Sequence, residues 1–161
     1  MDKFNYRPIG IIHSPFKDRE GTPIQPIGGE GVKAEVEIFP EYVEGLQDLE
    51  GFSHIILLYH CHLSKTYRLK VKPFLDDVER GLFATRAPAR PNPIGLSVVR
   101  LIQIERATLF VEDIDIIDKT PLLDIKPFVP DFDLRKVART GWLGKKAANA
   151  KKLTDDGRFG D

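Results

Sequence analysis

The sequence predicts an all-β domain, built as a barrel or a sandwich. Three observations carry this. Segments rich in β-branched and aromatic residues recur at short intervals, whereas only one short segment has helical spacing. The connections between them are rich in proline and glycine, the punctuation of turns. No strand–helix alternation repeats along the chain, so a doubly wound parallel sheet is not expected.

Taken in order, Tyr6–His13 reads as the first strand, stopped at Ser14-Pro15. The cluster Gly28-Gly29-Glu30-Gly31 matches neither G-x-G-x-x-G nor a P-loop with its Gly-Lys-Ser/Thr, and reads as a turn. Val32–Phe39 alternates: Val32, Ala34, Val36 and Ile38 share one face, and Lys33, Glu35 and Glu37 the other. That is the pattern of a half-buried strand. Pro40–Leu49 is the one short helix, with Pro40 near its start and Tyr42, Val43, Leu46 and Leu49 at helical spacing. Ser53–His62 is a dense run of β-formers and reads as a central strand. Leu96–Glu105 and Thr108–Ile117 are two more strands, joined at Arg106-Ala107 by a tight hairpin that lacks the usual Asn-Gly. After Asp133 the apolar pattern weakens. The domain is therefore expected to span 1–133, followed by a basic segment over 134–161 whose end, from about Lys145, forms a mobile tail.

With 42% hydrophobic and 30% charged residues over 161 positions, the chain can bury one ordinary core. No apolar run approaches the roughly 18 residues of a membrane-spanning helix. The start, MDKFNYRPIG, lacks the apolar core of a secretory signal, so the expectation is a cytoplasmic protein with no membrane partner. Cys61 is the only cysteine, which excludes an intrachain disulfide and a multi-cysteine metal site. The zero net charge hides a segregation: acids dominate from Glu112 to Asp133, and none occurs from Leu134 to Thr154. That last stretch holds Arg135, Lys136, Arg139, Lys145, Lys146, Lys151 and Lys152, a stripe suited to a polyanion or simply a solvated tail.

Three groups of residues have chemical potential. In Gly81–Leu96 (GLFATRAPARPNPIGL), Pro88, Pro91 and Pro93 stiffen a loop from which Arg86, Arg90 and Asn92 project. Two guanidinium groups on a stiff loop suit a carboxylate or a phosphate, and the alternative is structural proline with surface arginines. His60 and His62 fall on one strand face, a possible metal half-site. His54 lies six residues from His60, roughly 20 Å along a strand and too far to complete it. No metal is therefore expected, and His62 reads as a pocket or core histidine. Asp113, Asp115 and Asp118 crowd a strand end and Asp124 follows the turn at Thr120-Pro121. They can serve as general-base or hydroxyl-binding carboxylates, a cation site, or plain turn chemistry.

Together these segments resemble the TsaA-like family, the S-adenosylmethionine-dependent methyltransferases acting on N6-threonylcarbamoyladenosine of tRNA. The motifs that carry the resemblance are IGIIHSPF (Ile9–Phe16), Gln25 in TPIQP, EGFSHIILLYHCH (Glu50–His62), GLFATRAPARPNPIGLS (Gly81–Ser97) and DIDIIDKTPLLDIKPFVP (Asp113–Pro130). They run in family order over about Ile9 to Asp131, and ATR-x-P-x-RPNPIG followed by D-x-TP-x-x-DIKP is the most specific part. Two positions depart: Lys119 stands where glycine is common and Phe128 where tyrosine is common.

The resemblance implies a compact β-barrel with short helices, a homodimer, and S-adenosylmethionine bound near the subunit interface. The family's methyl-donor contacts fall on Gln25, Pro26, Ile27, His62, Leu63, Arg86, Leu96 and the Asp113–Ile114–Asp115 turn. Arg90, Asn92 and the DIKP segment (Asp124, Lys126) would line the same cleft on the substrate side or support it. The implied reaction methylates an adenine nitrogen whose lone pair is delocalised, so a base has to take its proton, with Asp115 and Asp124 the candidates. The rival readings are a barrel that binds S-adenosylmethionine or RNA without turnover, and a methyltransferase acting on a small metabolite.

Overall fold

A computed structural model describes residues 3–157. Eight strands occur there: β1 (Gly10–His13), β2 (Lys33–Ile38), β3 (His54–His60), β4 (Lys70–Val71), β5 (Arg80–Gly81), β6 (Ile94–Glu105), β7 (Thr108–Glu112) and β8 (Thr120–Pro127). Six of them pair antiparallel in the order β1-β2-β7-β6-β3-β8, and β8 pairs back onto β1, so the sheet closes. The fold is all-β and, of the two architectures the sequence allows, it is the barrel. β4 and β5 form a separate small hairpin.

The inward-facing residues fill the barrel. In β2, Ala34, Val36 and Ile38 are buried and Lys33, Glu35 and Glu37 are exposed, matching the alternation read from the sequence. With Ile12, Ile55, Leu57, Val99, Leu101, Leu109, Val111 and Leu122 they make one core. Burying each large aliphatic side chain contributes about 1.5–3 kcal/mol, which is what holds the ring shut. Close approaches require glycine at several positions, Gly29 among them, where a Cβ would fall 1.9 Å from the Ile114 carbonyl oxygen. At Gly10 a Cβ would fall 2.1 Å from the Glu37 carbonyl oxygen on β2. At Gly95 it would meet the ring of its cross-strand partner Tyr59, also at 2.1 Å.

Four expectations need correction. Pro40–Leu49 is not one α-helix but a 3₁₀ segment, Pro40–Leu46, then Asp48 in the left-handed region at φ 67° and a further turn, Leu49–Gly51. Its apolar spacing still works, since Leu46 is buried and Tyr42, Val43 and Leu49 pack on the core. The first strand is shorter than Tyr6–His13, beginning at Gly10. The strand expected over Thr108–Ile117 ends at Glu112, because Asp113 turns left-handed at φ 68° and its Oδ1 accepts the Gly31 N–H at 2.7 Å. Last, β8 was not anticipated: Pro121 and Pro127 disguise a strand that Thr120 and Leu122 anchor by burial.

Through residue 157 the basic C-terminal segment is described. From Gly141 to Lys152 it forms 3₁₀ turns, kinked at Gly144, that return to the barrel. Asp155 exchanges backbone hydrogen bonds with the 21–22 turn: its carbonyl accepts Gly21 N–H and its N–H donates to Thr22, at 2.8 and 2.7 Å. Ala150 is buried.

Candidate active site

A cleft of about 950 Å³ opens where β3 leaves the barrel and β6 enters it. Its walls are the 3₁₀ turn Pro26–Gly29, the turn after β3, the proline-stiffened loop and the start of β6. The chain between β7 and β8 crosses the mouth of the barrel. Ile114 and Ile116 plug the core from that crossing, while Asp115 faces the cleft.

A chain of three hydroxyl and carboxyl groups lies at the floor. Ser97 Oγ donates to Asp115 Oδ1 at 2.6 Å, and the Tyr59 hydroxyl lies 3.1 Å from Ser97 Oγ. Burial is the main influence on Asp115 and pushes it up to about 6, against the lowering effects of the Ser97 bond and the Arg86 charge. Burial also raises the Tyr59 phenol, followed by the nearby Asp115 charge. Cys61 is pushed up to about 11 by burial and then by Asp115, so its thiol stays protonated and unreactive at neutral pH.

At the rim, Arg86 Nη1 donates to Gln25 Oε1 at 2.9 Å, joining two residues 61 positions apart. Arg90 works differently. Its Nη1 reaches the carbonyls of Thr85, Ala87 and Leu82 at 3.0, 3.3 and 3.4 Å, and its guanidinium stands 5.7 Å over Phe83. Arg90 therefore staples the loop that presents Arg86. His62 Nδ1 lies 3.3 Å from Thr120 Oγ1, whose own proton goes to Ile117 O at 2.6 Å. Thr120 can then only accept, which places the imidazole proton on Nδ1 and leaves Nε2 as an acceptor. Burial, and behind it His60 and Arg19, lowers His62 below the ordinary imidazole value and keeps the ring neutral.

Of the site residues read from the sequence, Gln25, Pro26, Ile27, His62, Leu63, Arg86, Arg90, Leu96 and Asp115 meet on this cleft. Five do not line it. Asp113 is occupied by the Gly31 N–H and by Arg100, 4.0 Å away, and Ile114 is fully buried in the core. Asp124 and Lys126 lie off the cleft and pair with each other at 2.8 Å, and Asp124 also accepts the N–H of its neighbour Ile125. Asn92, between Pro91 and Pro93, is exposed and does not line the cleft. Phe128 also stands apart, its ring edge-on to His54 at 6.5 Å. The sequence reading missed Tyr59, Ser97, Thr120 and Trp142. A serine within the apolar run Leu96–Val99 was the available signal for the second of these. Among the described residues, no three His, Cys, Asp or Glu side chains are arranged to hold a metal ion.

The C-terminal turns form one wall of the cleft with Trp142, Leu143 and Ala147. Trp142 Nε1–H donates to Ala84 O at 2.7 Å, and the Arg80 guanidinium stacks 5.6 Å over its ring. The Asp76 carboxylate is shared by Arg80, at 2.6 Å, and Lys146, at 2.8 Å. These contacts strap the segment to the loops around the cleft.

Residues 11–134 match the family model for the tRNA-methyltransferase O N-terminal domain. The chain belongs to the TrmO family. A probable S-adenosyl-L-methionine-binding protein of Pyrococcus abyssi is 56% identical over 96% of this chain and 84% of its own length. The tRNA (adenine(37)-N6)-methyltransferase of mouse is 38% identical over 78% of this chain, but this chain covers only 31% of it. The TrmO crystal structure from Pseudomonas aeruginosa superposes with a TM-score of 0.75 at 39% identity, covering 87% of this chain and 62% of that one. The TrmO match ends at residue 134, so the Trp142 wall lies outside the matched domain. Among the described residues no helix is long and apolar enough to cross a membrane.

Proposed function

We propose that the protein is an S-adenosylmethionine-dependent methyltransferase, cytoplasmic and homodimeric, that methylates N6 of threonylcarbamoyl-adenosine beside a tRNA anticodon. The observation that carries this reading is Asp115, a desolvated carboxylate on the floor of a ligand-sized cleft, facing the Arg86–Gln25 pair. Family membership and the name of the mouse relative support the same chemistry.

The cleft suits the methyl donor in kind. Its volume lies within the roughly 300–1,000 Å³ typical of small-molecule sites. Ile27, Leu63 and Leu96 offer apolar surface for an adenine. Arg86, held by Gln25, offers a cation for an amino-acid carboxylate. When bound, S-adenosylmethionine supplies the methyl group, its sulfur keeping the electron pair of the broken C–S bond as the N6–C bond forms. The remaining work of the residues is alignment and proton removal. Asp115 takes the N6 proton. It is ionised at neutral pH, yet its raised value makes it a better base than a solvated aspartate. Asp124 is the weaker candidate, being outside the cleft and paired with Lys126.

For the substrate, Arg135, Lys136 and Arg139 are exposed next to Phe132, which is 71% exposed. Cations interleaved with an exposed ring suit the phosphates and splayed bases of a single-stranded RNA loop. The exposed Ile27, Phe83 and Leu96 at the cleft rim suit coverage by a second copy. The test is incubation with labelled S-adenosylmethionine and bulk tRNA, followed by nucleoside mass spectrometry, with sedimentation for the dimer. Methylated threonylcarbamoyl-adenosine is the expected product. Binding of the donor by calorimetry without any methylated nucleoside would replace the reading with that of a non-catalytic binder.

A further inference from the structure

Ser97 sits on β6 behind the cleft, 1% exposed, and does not line it, so no ligand reaches it. Its neighbours along the strand are Leu96 and Val98, and its cross-strand partner on β3 is Leu57. A hydroxyl in such surroundings is unfavourable unless its proton and a lone pair are both used. Here both are, and the direction is fixed. An ionised carboxylate only accepts, so the Ser97 proton goes to Asp115 Oδ1; Ser97 is then left to accept, and the Tyr59 O–H donates to it. Tyr59 is held over Gly95 by a contact that admits no Cβ there, and β3 is bulged against β8 between Leu58 and Tyr59. Bulges beside sites re-aim side chains in this way.

We propose that Ser97 is a positioning residue that locks the Asp115 carboxylate toward the cleft, with Tyr59 fixing the direction of the Ser97 proton. The role attributed to Asp115 rests on the function proposed above, whereas the lock itself does not. The groups facing Asp115 are Tyr59 from β3, Cys61 from the turn just after it, Arg86 from the proline-stiffened loop, and Ser97 from β6. Of these, Ser97 and Arg86 favour the ionised form.

The experiment follows Asp115 by carboxyl-carbon NMR in aspartate-labelled protein, assigned with Asp115→Asn, beside the pH dependence of kcat/KM for methyl transfer. In Ser97→Ala the midpoint of the Asp115 titration should rise by about one to two pH units, as expected for loss of a hydrogen bond to a charge. The acid limb of the rate profile should rise with it, leaving the affinity for S-adenosylmethionine within about twofold. Tyr59→Phe, which leaves the Ser97–Asp115 bond in place, should move both in the same direction by less, and Ser97→Thr should restore both. A folded Ser97→Ala protein with an unchanged Asp115 titration overturns the lock. If the titration moves and the rate profile does not, the lock stands and Asp115 loses its role as the base.

Discussion

Asp115 is placed where burial opposes its charge, and that has a consequence for stability as well as for chemistry. Its folded value of about 6 lies above the ordinary 3.8. Between those two pH values the folded protein holds more protons than the unfolded chain, so stability falls as pH rises through the window and is level above it. The gap corresponds to about 3 kcal/mol at most at neutral pH. Asp115→Asn should therefore abolish methyl transfer and yet leave the protein as stable as wild type or more so at pH 7, the advantage fading below about pH 4. Denaturant melts at the two pH values check it. Lys119 carries backbone strain, at φ 62° where side chains other than glycine are disfavoured. Lys119→Gly should stabilise by roughly 1 kcal/mol, read as a shift in urea midpoint, since relief of the backbone conformation outweighs glycine's added freedom when unfolded. The family resemblance marks Lys119 as a departure from glycine, and the physical meaning of that departure is visible only in the backbone angle. For the aspartates, the reading placed Asp113 and Asp115 on one face of a continuous strand and made both contacts of the methyl donor. The strand breaks at Asp113, and only the second one keeps its face to the cleft.

Elements whose period is simple were readable in advance. β2 alternates without exception, and β6 and β7 meet at the Arg106-Ala107 turn as expected, with Arg106 at φ 54° supplying the positive φ that a two-residue hairpin needs at its first position. β8 was hidden by its prolines. The C-terminal turns were hidden for another reason: their anchors are single contacts spread over distant loops, Trp142 to Ala84, Lys146 to Asp76 and Asp155 to Thr22, and none leaves a periodic trace. Because this strap forms a wall of the cleft, Trp142→Ala should raise the dissociation rate of S-adenosylmethionine about tenfold. The melting temperature should move by only a few degrees, since the barrel core is untouched. Stopped-flow displacement measures the first and calorimetry the second. An unchanged dissociation rate would mean that the strap does not touch the bound ligand.

Across the whole molecule, the choice between barrel and sandwich depended on the pairing of β1 with β8, a contact between residues more than a hundred positions apart. No local pattern encodes it. The seam is also the most exacting part of the fold, because Gly10 pairs with Ile38 on one side and Leu122 on the other with the Glu37 carbonyl directly above its α-carbon. Gly10→Ala should cost about 1–3 kcal/mol through forced displacement of β1, seen as a lower denaturant midpoint with an unchanged slope.

A sheet joined end to end leaves its six principal strands without a free rim of backbone amides and carbonyls for a foreign chain to zip onto. Whatever docks on this protein, whether RNA or another polypeptide, has to be gripped by side chains and connecting segments. Recruitment by this molecule is therefore tuned through those groups, without remaking the scaffold beneath them.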